Sequence, residues 1–280
     1  MNNIRIISSN DFDAATLTST PSAAVNAPIT NLQNGLRAKV SRMATVDDPW
    51  VISAAWATAR PISAVCLYKH NFTGAGTIRV QIYAEAAMVT ELYNSGVQSL
   101  GNMVAWGTEQ WGAFQWGGEG FSEWPASYYT LWFPAVAGAM GLKITINDSG
   151  NTAGFLEIGR VYTGAYWSPA VNISYGLQMA WVEQSKQIRT AAGSLRTEGY
   201  QPYRAYSMAL DTLSATDRTT ITNMFRKLGL RNDFFVSFFP EDGTDLERDY
   251  TAAVKMTSSS NITADHFDNF SVQSIQLEEV

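Results

Sequence analysis

The residues best suited to do chemistry in this 280-residue chain are aromatic, not acidic or basic. The stretch AWGTEQWGAFQWGGEGFSEW, Ala105 to Trp124, holds Trp106, Trp111, Trp116 and Trp124 with Phe114, Phe121 and five glycines. Trp106, Trp111 and Trp116 recur every five residues. That period puts successive rings on opposite faces of a strand and on no single stripe of a helix. A long glycine-rich loop or hairpin between two strands fits best. Such a loop can press its rings against a neighbouring subunit, where Trp and Tyr dominate binding energy. It can also fold them under itself, or stack them on sugar rings. The candidate contact residues are therefore Trp106, Trp111, Phe114, Trp116, Phe121 and Trp124, for an interface or a glycan. The acids within the stretch, Glu109, Glu119 and Glu123, are poor companions for a sugar.

Catalytic groups are scarce. His70 in LYKHNF and His266 in ADHFDNF are the two histidines, and neither belongs to a metal-binding spacing such as HExxH. Both read as structural or solvated. The sequence has no nucleophile elbow, no phosphate-binding loop and no dinucleotide fingerprint. The acidic run FPEDGTDLERDY carries Glu241, Asp242, Asp245, Glu247 and Asp249. Its spacing is not that of an EF-hand, and Asp242-Gly243 is a turn signal, so a solvated hairpin loop is expected. NDSGN, Asn147 to Asn151, reads as another turn. No two carboxylates can be paired for glycoside hydrolysis. The chain is expected not to be an enzyme and to need no cofactor or metal.

Composition narrows the class. Charged residues are 16% of the chain, well under the roughly 25% of an average soluble domain. A surface short of charge suits a protein that meets other protein. Net charge is −6 and the cations are scattered, which argues against a nucleic-acid partner. Cys66 is the one cysteine, inside the strand-like run AVCLYKH, so disulfides and multi-cysteine zinc sites are excluded. No apolar run approaches the roughly 20 residues that would cross a membrane, and the N-terminus does not look like a secretion signal. Synthesis in a cytoplasm is expected.

The elements that must position these residues are strands. ISAVCLYKH, TIRVQIYAE, YYTLWFP, LKITIND and FLEIGRVYTG are short runs rich in β-branched and aromatic residues. In TIRVQIY, Ile78, Val80 and Ile82 share one face, and Arg79 and Gln81 the other. Leu142, Ile144 and Ile146 alternate in the same way. NFTGAG, NSG, AGAMG and NDSGN supply the turns. TLTSTPSAAVNAPITNL, with two prolines, is expected to run irregularly along a surface. Residues 1–168 thus predict an antiparallel β-sandwich, a jelly roll among the options.

Residues 169–280 predict a second domain of strands, one helix, then strands: a small sheet or sandwich with one flanking helix. QSKQIRTAAGSLRTEGYQPYRAYSMALDTL reads as two or three strands, with Tyr206, Met208 and Leu210 alternating along the last. A helix is expected near 214–228. Ser214 is the N-cap, Asp217 sits three places on, and Ile221, Met224, Phe225 and Leu228 form the apolar stripe. Arg226 and Lys227 suit its last turn, and Gly229 closes it. DFFVSFFP reads as a fully buried strand; AAVKMTS and FSVQSIQLEE complete the sheet.

Two portions carry a resemblance. APITNLQNG followed by DDPWVISAAWATARPISAVCLYKHNFTGAGTIRVQIY resembles modules in structural proteins of long-tailed bacteriophages. Similar sandwiches occur in discoidin-like carbohydrate-binding domains. YRAYSMALDTLSATDRTTITNMFRKLGLRNDFFVSFFP, with YTAAVKMTSS and a final strand, resembles the tail-tube-like domain of phage distal tail and baseplate proteins. The resemblance implies a tail-tip or baseplate subunit of the virion tail, acting by geometry and interface. Copies would form a ring linking tail tube to hub or fibres, and the sandwich would touch fibres, neighbours or host surface glycan. The order of the two parts is the reverse of that in typical distal tail proteins. A carbohydrate-binding module recognising host glycans is the alternative.

Overall fold

The structure, a computed structural model, describes residues 2–43, 45–100, 128–242, 245–266 and 269–280. It is mainly β and divides into two units. A sandwich unit holds Ile6–Trp167 and Glu241–Arg248. A C-terminal unit holds Met1–Arg5, Ser168–Pro240 and Asp249–Val280.

The sandwich unit follows β1 (Arg5–Ile7), which lies at the boundary, with seven further strands. These are β2 (Thr16–Thr20), β3 (Ser41–Met43), β4 (Trp50–His70), β5 (Thr77–Tyr83), β6 (Glu91–Ser99), β7 (Tyr128–Asn147) and β8 (Leu156–Gly164). Their order is β3-β8-β4-β7-β5-β6, with β2 beside β4, and every pairing is antiparallel. Two very long strands turn this one sheet into two layers. The first part of β4 pairs with β2 and with the last part of β7, which also carries β5. The last part of β4 pairs with β8 and with the start of β7. Between them the β4–β7 register shifts at Ala55/Arg60, Arg60/Ile62 and Ile62/Ala64. Such irregularities let a strand bend and pass from one layer to the next. The inward face changes parity there. Trp50, Ile52, Ala54 and Trp56 enter the core before the bend, and Val65 and Leu67 after it.

Three sequence expectations are corrected here. β4 was expected only from Ile62, as the short run ISAVCLYKH, and β7 as two runs, YYTLWFP and LKITIND, with AGAMG as the turn between them. Each is one strand, because the breaks in periodicity mark the corner and not an end. Thr16–Thr20, expected to be irregular, is a strand: its alternating β-branched threonines lie on β4 while Leu17 packs on the core. Gln81 keeps to the face of β5 opposite Ile78, Val80 and Ile82, where it is 9% exposed and its amide donates to Glu91.

The C-terminal unit contains β9 (Gln178–Val182), β10 (Lys186–Arg189), β11 (Leu195–Glu198), β12 (Tyr203–Leu213), α1 (Ala215–Leu228) and β13 (Phe234–Ser237). After α2 (Asp245–Asp249) come β14 (Thr251–Met256), β15 (Thr263–His266) and β16 (Asn269–Glu279). The main sheet runs β13-β14-β16-β12-β9, with β15 on β16. Tyr206, Met208 and Leu210 point to its buried face as the alternation requires, and all four residues of β13 are buried. Helix α1 lies against β12 and β16 and buries Ile221, Met224 and Leu228. The Ser214 hydroxyl accepts the Asp217 amide at 3.1 Å, and Gly229 ends the helix at φ 52°, a conformation that costs glycine little. The acidic run is not a plain solvated hairpin loop. Asp245–Asp249 form a helical turn, and Glu247 accepts from the Thr130 hydroxyl of β7 at 3.3 Å.

A buried ion pair joins the start of β12 to the end of β16. Arg204 is 1% exposed and clasps Glu279 with Nε at 3.0 Å and Nη2 at 2.9 Å. Its Nη1 and the Tyr206 hydroxyl both donate to the Asp249 carbonyl at 2.9 Å. Burial pushes the Tyr206 hydroxyl pKa up, so this phenol stays a donor.

Candidate functional site

The six residues singled out by sequence, Trp106, Trp111, Phe114, Trp116, Phe121 and Trp124, lie outside the described residues. Their flanks are described. The segment leaves from Leu100, at the end of edge strand β6, and returns at Tyr128, the first residue of β7.

Both flanks meet one cluster of loops. The Leu100 amide donates to the Gly76 carbonyl at 2.9 Å. Gly76 has no room for a side chain: a Cβ there would come within 2.8 Å of Leu100 Cδ1 and 3.0 Å of Asp148 Cγ. Asp148, buried at 3% exposure, fastens the turn before Gly76. Its carboxylate accepts from the Thr73 amide at 2.8 Å, the Thr73 hydroxyl at 2.6 Å and the Asn151 amide group at 3.1 Å. Asn151 also donates to the Asn71 carbonyl at 2.8 Å. His70 sits beneath. Its ring stacks on Phe72 at 4.5 Å, its Nδ1 accepts the Phe72 amide at 3.3 Å, and it hydrogen-bonds the Tyr128 backbone. Burial lowers its pKa from 6.5 to about 4, against smaller opposing pulls from the Tyr128 backbone hydrogen bond and from Asp148. His70 is thus a neutral structural residue at pH 7, as its context suggested. The NFTGAG and NDSGN turns are brought together, a pairing that the sequence did not reveal.

Among the described residues, no three His, Cys, Asp or Glu groups come close enough to hold a metal. Cys66 is fully buried in β4, and desolvation raises its thiol pKa, which removes its nucleophilic character.

A second candidate surface was missed by sequence reasoning. Strands β10 and β11 pair only with each other among the described residues, in the register Lys186↔Glu198, Ile188↔Arg196 and Arg189↔Leu195. All eight residues of these strands are exposed, including Ile188 at 63% and Leu195 at 53%. Edge strand β9 leads into this hairpin. Its sequence QMAWV has no charge and no proline, and it pairs on one side only, with β12. The exposed aromatic residues among those described, Tyr175, Trp181 at 45% and Tyr200 at 51%, all lie in this unit, on or near β9 and the hairpin. By contrast, edge strand β6 carries Glu91, and its pairing with β5 is interrupted by register shifts, two devices that blunt an edge. The signal was present in QSKQIRTAAGSLRTEGY: short alternating strands around a glycine turn, with too few apolar residues to pack on anything.

No family model and no curated protein sequence matches the chain. Solved structures do resemble it. One is chitosan-binding module 1 from a chitosanase/glucanase of Paenibacillus sp. IK-5, with 13% identity, a TM-score of 0.39, 56% of this chain covered and 99% of that one. Another is a Clostridium perfringens module in complex with GalNAc-β-1,3-galactose, at 11% identity and TM-score 0.39, over 56% of this chain and 100% of that one. A Streptococcus pneumoniae fucose binding module gives 13%, 0.37, 57% and 99% in the same order.

Proposed function

We propose that the protein is a structural, non-enzymatic subunit that works through its surfaces, and that it builds a ring-like oligomer with copies of itself in a phage tail tip or baseplate. The observation that carries the assembly reading is the β10–β11 hairpin. A two-stranded hairpin with no third strand is marginal in water. This one exposes Ile188 and Leu195, and it follows an uncharged, one-sided edge strand with Trp181 on it. Exposed aromatic and aliphatic side chains beside an open edge are what strand addition and interface hot spots use. The phage setting rests on the sequence resemblance alone.

The test is sedimentation velocity over a concentration series. Wild type is expected to associate, and Ile188→Asp with Leu195→Asp to remain monomeric with unchanged circular dichroism. Association of the double variant equal to wild type would refute the β10–β11 hairpin as the contact.

A second reading is glycan recognition by the sandwich unit. Its basis is the insertion of four tryptophans between β6 and β7. The modules named above bind chitosan, GalNAc-β-1,3-galactose and fucose, but at TM-scores below 0.5 that likeness adds no weight. Quenching of tryptophan fluorescence by a soluble glycan, lost in Trp111→Ala or Trp116→Ala, would establish it. No response across a glycan panel would remove it.

A further inference from the structure

We propose that the loop end of the sandwich unit is an acid-sensitive latch, with His70 as the group that releases it. The geometry carries this independently of the assembly and glycan readings. The Phe72 amide points at His70 Nδ1, so that nitrogen must be unprotonated to accept. An imidazolium has two donors and no acceptor. Protonation therefore sets N–H against N–H inside a closed site, next to the Phe72 ring that belongs to the core.

What hangs on this bond is more than one loop. Phe72 is followed by Thr73, which Asp148 holds by two hydrogen bonds. The turn from Thr73 to Gly76 in turn receives the Leu100 amide. On the other side the hydrogen bond between His70 and the Tyr128 backbone favours the charged ring, so it survives protonation. Loss of the neutral imidazole loosens the end of β4, the Thr73–Gly76 turn and the end of β6 together.

The charged surroundings do not rescue the imidazolium. From the turn after β7, Asp148 faces His70 and favours its charge, but that carboxylate is already engaged by three donors. From β8, the residue opposite His70 is Ile158, which is apolar and buried. On its own strand Lys69 is a like charge, and its ammonium reaches away to the Arg37 carbonyl at 2.8 Å. Burial is the larger influence, and it lowers the His70 pKa from 6.5 to about 4.

The direction follows. The closed latch binds its proton only near pH 4, whereas an opened loop takes one up near pH 6.5. Closure is undiminished above pH 6.5 and is lost progressively as the pH falls from there toward 4. The open fraction should rise about tenfold per pH unit across that window, to a total of about 300-fold.

The experiment is NMR of the full chain from pH 7.5 to 4, reading the His70 ring nitrogens and the exchange of the Phe72, Thr73 and Leu100 amides after correction for intrinsic pH dependence. The expected result is a single coupled step. His70 Nδ1 stays unprotonated at pH 7, and the three amides lose protection together below pH 6. In His70→Asn, whose side-chain oxygen can still accept from Phe72, the step should vanish. Titration of His70 near 6.5 with those amides unchanged would overturn the proposal, and so would persistence of the step in His70→Asn. If His70→Asn fails to fold, the wild-type titration alone still decides.

Discussion

Both units have apolar cores, and they differ in the polar groups buried beside them. The sandwich unit relies on apolar volume: Trp50, Trp56, Phe12 and a continuous set of Ile, Leu and Val are fully buried, and its buried polar groups such as Asp148 and His70 tie loops at one end. The C-terminal unit puts a fully buried ion pair, Arg204–Glu279, between its long central strands. A buried pair adds little net stability, but it leaves a costly orphan when one partner is removed. The contrast extends to the surfaces. The sandwich unit blunts its β6 edge, while the C-terminal unit leaves β9 open and carries the exposed hairpin. One unit reads as self-sufficient, and the other as built for company.

Breaking the ion pair should separate the units most sharply. Glu279→Ala is expected to cost the C-terminal unit about 3–5 kcal/mol, by stranding Arg204 in the interior. Calorimetry should show its transition falling while the sandwich transition stays. The matching change in the other unit is Trp56→Ala, which leaves a cavity and removes the donor to the Asp11 carbonyl at 2.7 Å. It should lower the sandwich transition by about 3–5 kcal/mol and spare the other.

Acid sharpens the same contrast. With the His70 pKa lowered from 6.5 to about 4, the sandwich unit should lose up to about 3 kcal/mol as the pH falls through that window. Urea titrations at pH 7 and pH 4.5 would read the loss, and His70→Asn should remove its histidine component. A smaller effect is expected from Ser214→Ala, which removes the α1 cap and should cost about 1 kcal/mol, in the C-terminal transition alone. Smallest for folding is Ile188→Asp with Leu195→Asp. Exposed substitutions of this kind should shift stability by no more than about 0.5 kcal/mol, while abolishing self-association.

What was legible follows from locality. Helix α1 could be read because its cap, stripe and closing glycine all lie within sixteen consecutive residues, Ser214 to Gly229. The faces of β5 and β12 could be read because alternation is a two-residue rule. The bend of β4 could not, since Pro61 in a corner and Pro61 at a strand end look alike from the sequence alone. Nor could the clasp of Arg204 by Glu279, 75 positions away, or the stitching of Thr73 to Asp148. Those contacts exist only once the sheet order is known. The hairpin was legible as strands but not as a surface, because exposure depends on what fails to pack against it. The tryptophan stretch was the strongest sequence signal, and its residues fall outside those described.

Native mass spectrometry of the full chain, beside the Ile188→Asp, Leu195→Asp variant at the same concentrations, tests the central claim most directly. The account predicts a closed oligomer of defined copy number for wild type and a monomer for the variant. A wild-type chain that stays monomeric at every concentration, or a variant that forms the same oligomer, would contradict it.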